Sequence, residues 1–225
     1  MPPSSPLTEQ DIWKIAHRTT DIIQSNITRN VCLFGSAACS LWVNIGRVPR
    51  DIDIVISEQF DAEDIKAIVA QADNRYYLEQ SKKRGATHQI LHCRLPGWKA
   101  DNGRCVKVDI LVPPTLGLPS ITESDLYLIN DVPVMPVFDL LVMKTQGWWD
   151  HRTSPRADFQ AKENDDVSDI IALLERARLE DVSYADEANE YRHSQEFMDR
   201  AYTLANRFVS VYRTRREWRA LHFPL

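Results

Sequence analysis

The stretch VCLFGS at residues 31–36 decides the fold, together with DIDIVI at residues 51–56, and fourteen residues lie between the two stretches. The apolar start of the first stretch is typical of a buried strand, and Gly35 ends it. Successive side chains of a strand point to opposite faces, so Asp51 and Asp53 share one face, roughly 6–7 Å apart. The apolar residue between them then faces the core. The pattern predicts two carboxylates side by side where the second strand begins.

A third acid, Asp109, lies inside VKVDILV at residues 106–112, which is also typical of a strand. Hard carboxylate oxygens are the protein ligands that Mg²⁺ prefers. If this strand lies beside the second one, the three acids predict a two-metal site with Mg²⁺ ions about 3.5–4 Å apart. Mn²⁺ is the alternative ion.

The Gly35–Ser36 pair is expected to bind phosphate. Ser36 is a favoured N-cap residue, so we expect a helix over residues 36–44 to begin there. Glycine lets a phosphate approach the backbone closely. A helix N-terminus offers free N–H groups and the positive end of the helix dipole. A phosphate cradle beside metal-binding acids indicates nucleotide chemistry.

Gly-Ser, then Asp-x-Asp on the next strand, then a single Asp on a later strand, resembles the polymerase-beta-type nucleotidyltransferase superfamily. The resemblance extends over about residues 28–175. Within that superfamily, the sequence resembles the minimal members, which are similar to abortive-infection toxins or to antibiotic nucleotidyltransferases. It implies an α/β (α+β) core with a mixed, mostly antiparallel sheet flanked by helices, and nucleotidyl transfer with a pair of Mg²⁺ ions.

The resemblance also implies roles for individual residues. Asp51, Asp53 and Asp109 would be the catalytic residues and metal ligands, and Asp109 would accept the proton of the acceptor. Gly35 and Ser36 would hold the β- and γ-phosphates of a nucleoside triphosphate donor. The acceptor hydroxyl would attack the α-phosphorus, and pyrophosphate would leave.

A second group of residues lies in the C-terminal part: Lys144, Arg152, Lys162, Asp166 and Asp169. Related bacterial enzymes and toxins have a similar order, which implies that Lys144, with Lys162 or Arg152, contacts the triphosphate. Cations there would stabilise the charge of the leaving pyrophosphate. In many relatives the second lysine adjoins the aspartate, whereas Lys162 lies further upstream. Alternatively, the cations favour helix ends, and Asp166 and Asp169 serve a helix N-terminal turn or tether a cation.

Arginines and tryptophans offer further candidates. Arg47 and Arg50 flank the loop before Asp51 and are expected either to hold phosphate or acceptor, or to be ordinary loop residues. Trp148 and Trp149 either stack on a base, as aromatic residues do in nucleic-acid sites, or pack the end of a helix.

Composition narrows the class of protein. The chain has 225 residues, of which 44% are hydrophobic, as in ordinary globular proteins. The net charge of −5 argues against a surface coated for nucleic acid. No apolar run approaches the ~20 residues of a membrane helix. The start, MPPSSP, lacks the basic and apolar regions of a signal peptide and is expected to be a tail. We therefore expect a cytoplasmic protein.

The four cysteines have no paired spacing, so free thiols in a reducing cytosol are expected. Cys32 and Cys105 lie within expected buried strands.

Periodicity and turn residues predict the organisation of the chain. Residues 1–135 are expected to form the nucleotidyltransferase catalytic core and residues 136–225 a helical cap, with the active cleft between them. The turn-rich residues 96–104 are expected to connect two strands as a hairpin. The expected elements are helices at 8–26, 61–71, 139–149 and 166–178, two or three helices within 184–221, strands at 75–79, 88–94, 105–112, 126–129 and 132–135, and a polar loop at 151–164.

The sequence thus predicts a Mg²⁺-dependent nucleotidyltransferase acting on a small molecule, a protein side chain or a tRNA end. No feature indicates an oligomeric state. One alternative is an inactive nucleotidyltransferase-fold protein that acts as a nucleotide sensor or binding partner. Another is a metal-dependent hydrolase with its acids in strand turns, which the Gly-Ser pair disfavours.

Overall fold

A computed structural model describes residues 6–83, 85–95 and 105–225. In these ranges seven strands form one sheet, in the order β3-β4-β5-β2-β1-β7-β6. The pairs β1–β7 and β2–β5 are parallel, and the other four pairs are antiparallel. The expected α/β fold with a mixed, mostly antiparallel sheet is confirmed. The strands are β1 (Val31–Phe34), β2 (Asp51–Ile56), β3 (Tyr76–Gln80), β4 (Gln89–Arg94), β5 (Cys105–Leu111), β6 (Tyr127–Ile129) and β7 (Val132–Val134).

Helices flank this sheet and make up most of the C-terminal part. Short 3₁₀ turns at Thr115–Gly117 and Glu123–Asp125 lead from β5 towards β6. The α-helices of the described ranges are α1 (Glu9–Asn26), α2 (Gly35–Trp42), α3 (Ala62–Ala72), α4 (Val137–Thr153), α5 (Ala157–Gln160), α6 (Glu163–Leu179), α7 (Glu187–Arg192), α8 (Gln195–Val211) and α9 (Arg215–Ala220).

The half of the sheet formed by β3, β4, β5 and the start of β2 is covered by the described helices on one face only. Helix α3 packs on that face, and α1 reaches its edge, where the Tyr76 hydroxyl lies 2.8 Å from Thr19 Oγ1. Along β5 the side chains alternate between buried and half-buried, as expected when one face meets the core. The open face formed by β3, β4, β5 and the start of β2 therefore carries Lys107, Asp109 and the acids of β2.

The other half of the sheet is more deeply buried. Val31, Cys32 and Leu33 of β1 are all inaccessible to solvent, which indicates that β1 is covered on both faces. Because β2 pairs with β1 on one side and β5 on the other, it lies where the covered half meets the open half. The start of β2 is therefore a boundary between core and solvent.

Helix α4 is longer than the sequence pattern predicted. The expected helix over 139–149 extends from Val137 to Thr153 and is buried on all sides over its first nine residues. A helix buried all round has no single apolar stripe, so periodicity marks only part of it. The expected polar loop over 151–164 is wrong, because that segment contains the end of α4, all of α5 and the start of α6.

Some expectations remain predictions. The N-terminal tail and the hairpin connection at 96–104 lie outside the described residues, except for Pro6. The division of the chain at residue 135 also stays a prediction. One hydrophobic cluster includes side chains from both parts, Leu33 and Leu141 among them, so burial does not mark a boundary there. No helix in the described ranges has both the length and the apolar character needed to cross a membrane.

The four cysteines are free thiols. Cys32, Cys39 and Cys93 are buried, but Cys105 is half-buried, so the expectation for Cys105 was wrong. Its position on the open face of β5 explains the difference.

Trp148 packs in the core of the helical part. Its side chain is fully buried, with its ring centroid 4.9 Å from that of Phe208 and 5.8 Å from that of Tyr212. We expect Trp148→Ala to lower the free energy of unfolding by about 3–5 kcal/mol, measured by chemical denaturation, because it leaves a large cavity. Leu128, which is 74% exposed, is the control. Leu128→Ala should change stability by less than about 0.5 kcal/mol, and similar losses in both variants would contradict this packing.

Candidate active site

The register of the strands brings the three acids together along the sheet. Asp53 pairs with Phe34 of β1 on one side and with Asp109 of β5 on the other. Asp51 pairs with Lys107 of β5. Neighbouring residues in register point to the same face of a sheet. Asp51, Asp53, Asp109 and Lys107 therefore form one group on the open face.

Gly35 brings the start of α2 directly against this group. Its φ is +67°, and a Cβ built there would lie 2.2 Å from Oδ2 of Asp53. No side chain fits in that space, so the close approach requires glycine. Helix α2 begins at Gly35 with Phe34 as the N-cap, so the expectation that Ser36 is the N-cap was wrong. The turn at Gly35 starts the helix one residue earlier, and Ser36 lies inside its first turn.

Burial and charge repulsion raise the pKa of Asp53. Burial makes the largest contribution, followed by the charges of Asp51 and Asp109, and the pKa rises to about 7. The charges of Lys107 and Lys144 act in the opposite direction. Both ammonium groups are therefore close enough to influence this carboxylate, and the group of acids carries negative charge that a cation would compensate.

The three acids match Mg²⁺ in chemistry, because each offers hard carboxylate oxygens. In the described part of the chain, however, no three His, Cys, Asp or Glu side chains converge closely enough to hold one ion. Nζ of Lys107 donates a hydrogen bond to Oδ2 of Asp109 at 2.5 Å, so this oxygen of the third carboxylate is directed at an ammonium group. Asp51, Asp53 and Asp109 as metal ligands stay a prediction.

A buried charge cluster lies where three segments meet: the loop before β2, helix α4 and helix α6. It consists of Arg47 from the loop, Lys144 and His151 from α4, and Asp166 and Asp169 from α6. Two nitrogens of Arg47 each lie 2.6 Å from an oxygen of Asp169. Nζ of Lys144 lies 2.8 Å from Asp169 and 3.1 Å from Asp166, and Nδ1 of His151 lies 2.5 Å from Asp166. The expectation that Asp166 and Asp169 tether a cation is confirmed.

Burial makes this pairing necessary. The Asp169 side chain is fully buried and Lys144 is 7% exposed. Burial alone would lower the pKa of Lys144, but the carboxylates of Asp169 and Asp166 help to raise it above the ordinary value. An unpaired charge in this position would carry a large desolvation cost. Lys144 is therefore held as a cation rather than extended into solvent.

The charge cluster adjoins α2. Arg47 donates a hydrogen bond to Oγ of Ser36 at 3.4 Å. Burial raises the pKa of Cys39 in α2 to about 12, and the charges of Lys144, Asp169 and Arg47 also act on it. Lys144 and Arg47 therefore supply positive charge beside the helix that begins at Gly35.

The other expected nucleotide-binding cations lie elsewhere. Arg50 is exposed and has no ion pair or hydrogen bond among the described residues. Arg152, in the last turn of α4, forms an ion pair with Glu163. Lys162 is exposed just before α6, with Nζ 5.4 Å from the ring centroid of Phe159. The contacts with Glu163 and Phe159 account for the positions of Arg152 and Lys162. That either residue binds a nucleotide stays a prediction.

Sequence reasoning missed Lys107 and His151 and did not separate Arg47 from Arg50. Lys107 had a readable signal, because it lies two residues before Asp109 on a strand and so shares its face. The positions of Arg47 and His151 depend on contacts with α6, which no local pattern indicates.

No model of a known protein family matches the chain, and no curated protein matches it significantly. Two solved structures are similar to it at 13% identity and a TM-score of 0.42. One is a candidate nucleotidyltransferase from H. pylori, matched over 91% of this chain and 97% of that one. The other is JHP933 from Helicobacter pylori, matched over 97% of this chain and 100% of that one. A likeness this weak carries no argument about function.

Replacement of Gly35 tests the close approach. Gly35 and Gly46 both have a φ of +67°, but a Cβ at Gly46 would meet nothing within 4 Å. Gly46→Ala should therefore lower the free energy of unfolding by about 1 kcal/mol, the cost of a left-handed backbone. Gly35→Ala should lower it by about 2 kcal/mol more, because the methyl group collides with Asp53. Chemical denaturation measures both, and equal losses would contradict the collision.

Replacement of Asp53 tests its raised pKa. A carboxyl group whose pKa is higher in the folded state destabilises the fold as the pH rises from about 4 to about 7. Each pKa unit corresponds to about 1.4 kcal/mol, and partial exposure reduces the effect. In EDTA, Asp53→Asn should therefore raise the free energy of unfolding by about 1–2 kcal/mol at pH 8. The gain should shrink at pH 5, and an equal gain at both pH values would contradict the shift.

Proposed function

We propose that this chain is a Mg²⁺-dependent nucleotidyltransferase that moves a nucleoside monophosphate from a nucleoside triphosphate to a hydroxyl acceptor and releases pyrophosphate. One observation carries the proposal: Asp53 lies directly between Gly35 at the start of α2 and Asp109 on β5. A helix N-terminus attracts phosphate and adjacent carboxylates attract Mg²⁺. Nucleotidyl transfer needs both at one place.

The residues around Asp53 have separate roles in the proposed reaction. Gly35 and Ser36 hold the β- and γ-phosphates through their backbone N–H groups and the end of the α2 dipole. Asp51, Asp53 and Asp109 hold the metal ions, and Asp109 also accepts the proton of the acceptor hydroxyl. Bound Mg²⁺ would neutralise the phosphate charge and align the attacking and leaving oxygens. Catalysis then depends mainly on positioning.

Lys144 and Arg47 face the leaving group in this proposal. Pyrophosphate gains negative charge as it leaves, and fixed cations stabilise that charge best when they need no rearrangement. Asp169 holds both side chains in place, at 2.8 Å from Lys144 and 2.6 Å from Arg47. We assign Lys144 and Arg47, rather than Arg50, Arg152 or Lys162, as the principal candidates for this role.

The acceptor would approach over the open face of β5 and β4. In phosphoryl transfer the attacking and leaving oxygens lie roughly in line with the phosphorus. Since α2 and the charge cluster would hold the leaving pyrophosphate, the acceptor comes from the opposite side. A small molecule, a protein side chain and a tRNA end are the acceptor classes to screen.

Calorimetric titration with non-hydrolysable analogues of ATP, CTP, GTP and UTP tests the donor site. We expect the wild type to bind at least one analogue with Mg²⁺ and to lose that binding in EDTA. Asp53→Asn should lose at least about tenfold in affinity, because it removes a metal ligand. Lys14→Gln, remote from the acids, is the control and should bind as the wild type does. If no analogue binds in Mg²⁺, the proposal is wrong.

The alternative is an inactive protein that senses or presents a nucleotide. The hydrogen bond from Lys107 to Asp109 favours it, because it occupies the acid to which we assign the proton transfer. Measurement of pyrophosphate release with the acceptor classes separates the two functions. Release that is lost in Asp109→Asn supports the transferase. Tight Mg²⁺-dependent nucleotide binding that is unchanged in Asp109→Asn, without release, supports the sensor.

A further inference from the structure

Lys107 is a cation at the centre of the site to which the proposed reaction gives no role. It lies on the open face of β5, between Asp51 of β2 and His92 of β4 in the register of the sheet. Its side chain is 42% exposed, and its ammonium group donates a hydrogen bond to Oδ2 of Asp109. Among the described residues, Asp109 is its only ion-pair partner.

The charges around Lys107 explain this contact. Asp51, Asp53 and Asp109 lie in two neighbouring rows of the sheet, and Asp51 and Asp109 repel a negative charge on Asp53. Without a metal ion, a positive charge on the same face lowers that repulsion. Lys107 supplies such a charge, and it does so at the carboxylate that completes the set of three acids.

We propose that Lys107 takes the place of a metal cation at Asp109 and that a divalent ion displaces its ammonium group when it binds. This inference rests on the proposed function, because it requires a metal site at the three acids. A divalent ion and an ammonium group repel each other at one carboxylate. The flexible, half-exposed stem of Lys107 can turn into solvent when the ion arrives.

Lys107 is then a positioning residue that acts through Asp109. While it is bound, Oδ2 of Asp109 is directed at its ammonium group, in agreement with the absence of a three-ligand cluster in the described residues. Once displaced, it leaves that oxygen free to join Asp53 at the ion. No covalent bond forms or breaks in this exchange, and the ammonium group keeps its proton.

Mn²⁺ binding measures the competition, with the free ion followed by electron paramagnetic resonance at pH 8. An exposed ion pair contributes up to about 1 kcal/mol, so Lys107→Met should bind Mn²⁺ about fivefold more tightly than the wild type. Lys107→Arg should bind as the wild type does, because it keeps the charge. Lys82 is the matched control, since it lies near the same part of the sheet, is 89% exposed and pairs with Glu79. Lys82→Met should stay within about twofold of the wild type.

Displacement itself is measured in the wild type, so it does not depend on a variant that folds. Amine acetylation, located by mass spectrometry, should modify Lys107 faster with Mn²⁺ than with EDTA, while Lys82 reacts at the same rate in both. An unchanged or slower reaction at Lys107 overturns displacement, even if Lys107→Met binds Mn²⁺ more tightly through charge alone.

The outcomes separate this inference from the proposed function. If the wild type binds Mn²⁺ and Lys107→Met binds it no more tightly, the inference is wrong and the metal site stands. If neither protein binds Mn²⁺, the metal site is wrong, and the inference fails with it. If only Lys107→Met binds, competition by Lys107 is supported.

Discussion

The close approach of Gly35 to the carboxylate of Asp53 is the constraint on which the rest of the site depends. Strand β1 ends opposite Asp53, and α2 begins at the next residue. Only a residue without a Cβ lets the helix start so near a neighbouring strand. The N–H groups of the helix, the acids of β2 and the third acid of β5 are thereby brought to one place. Any larger residue would have to push the helix or the carboxylate away.

Asp169 provides the second constraint, and it joins the C-terminal helices to the sheet. Its fully buried carboxylate accepts from Arg47 and Lys144, which come from the loop before β2 and from α4. Removing one partner of such a pair leaves an uncompensated buried charge, which costs far more than a surface pair contributes. The helical part is therefore not simply appended to the sheet. It fixes two cations beside the helix that begins at Gly35.

Much of the fold could be predicted because strands leave a local trace in the sequence. Strand β1 was predicted at Val31–Phe34, as observed, and β2 begins at Asp51, where the pair of acids predicted it. An apolar run reveals β1, which is covered on both faces, and alternation reveals the start of β2, where one face is open. The extent of α4 could not be predicted, since a helix buried on all sides lacks a periodic stripe. The N-cap of α2 was misplaced because side-chain preference at Ser36 does not reveal the backbone turn at Gly35.

In the candidate site, too, some features follow from the sequence alone and others only from the tertiary structure. The sequence by itself determined that Asp51 and Asp53 share a face, because the pleat of a strand is a property of consecutive residues. By the same rule it determined that Lys107 shares a face with Asp109, although only the structure shows the hydrogen bond between them. Only the tertiary structure decided that Arg47 meets Asp169, 122 residues away along the chain. Such a contact depends on how β2, α4 and α6 pack, and packing is set by the whole buried surface rather than by any local pattern of residues.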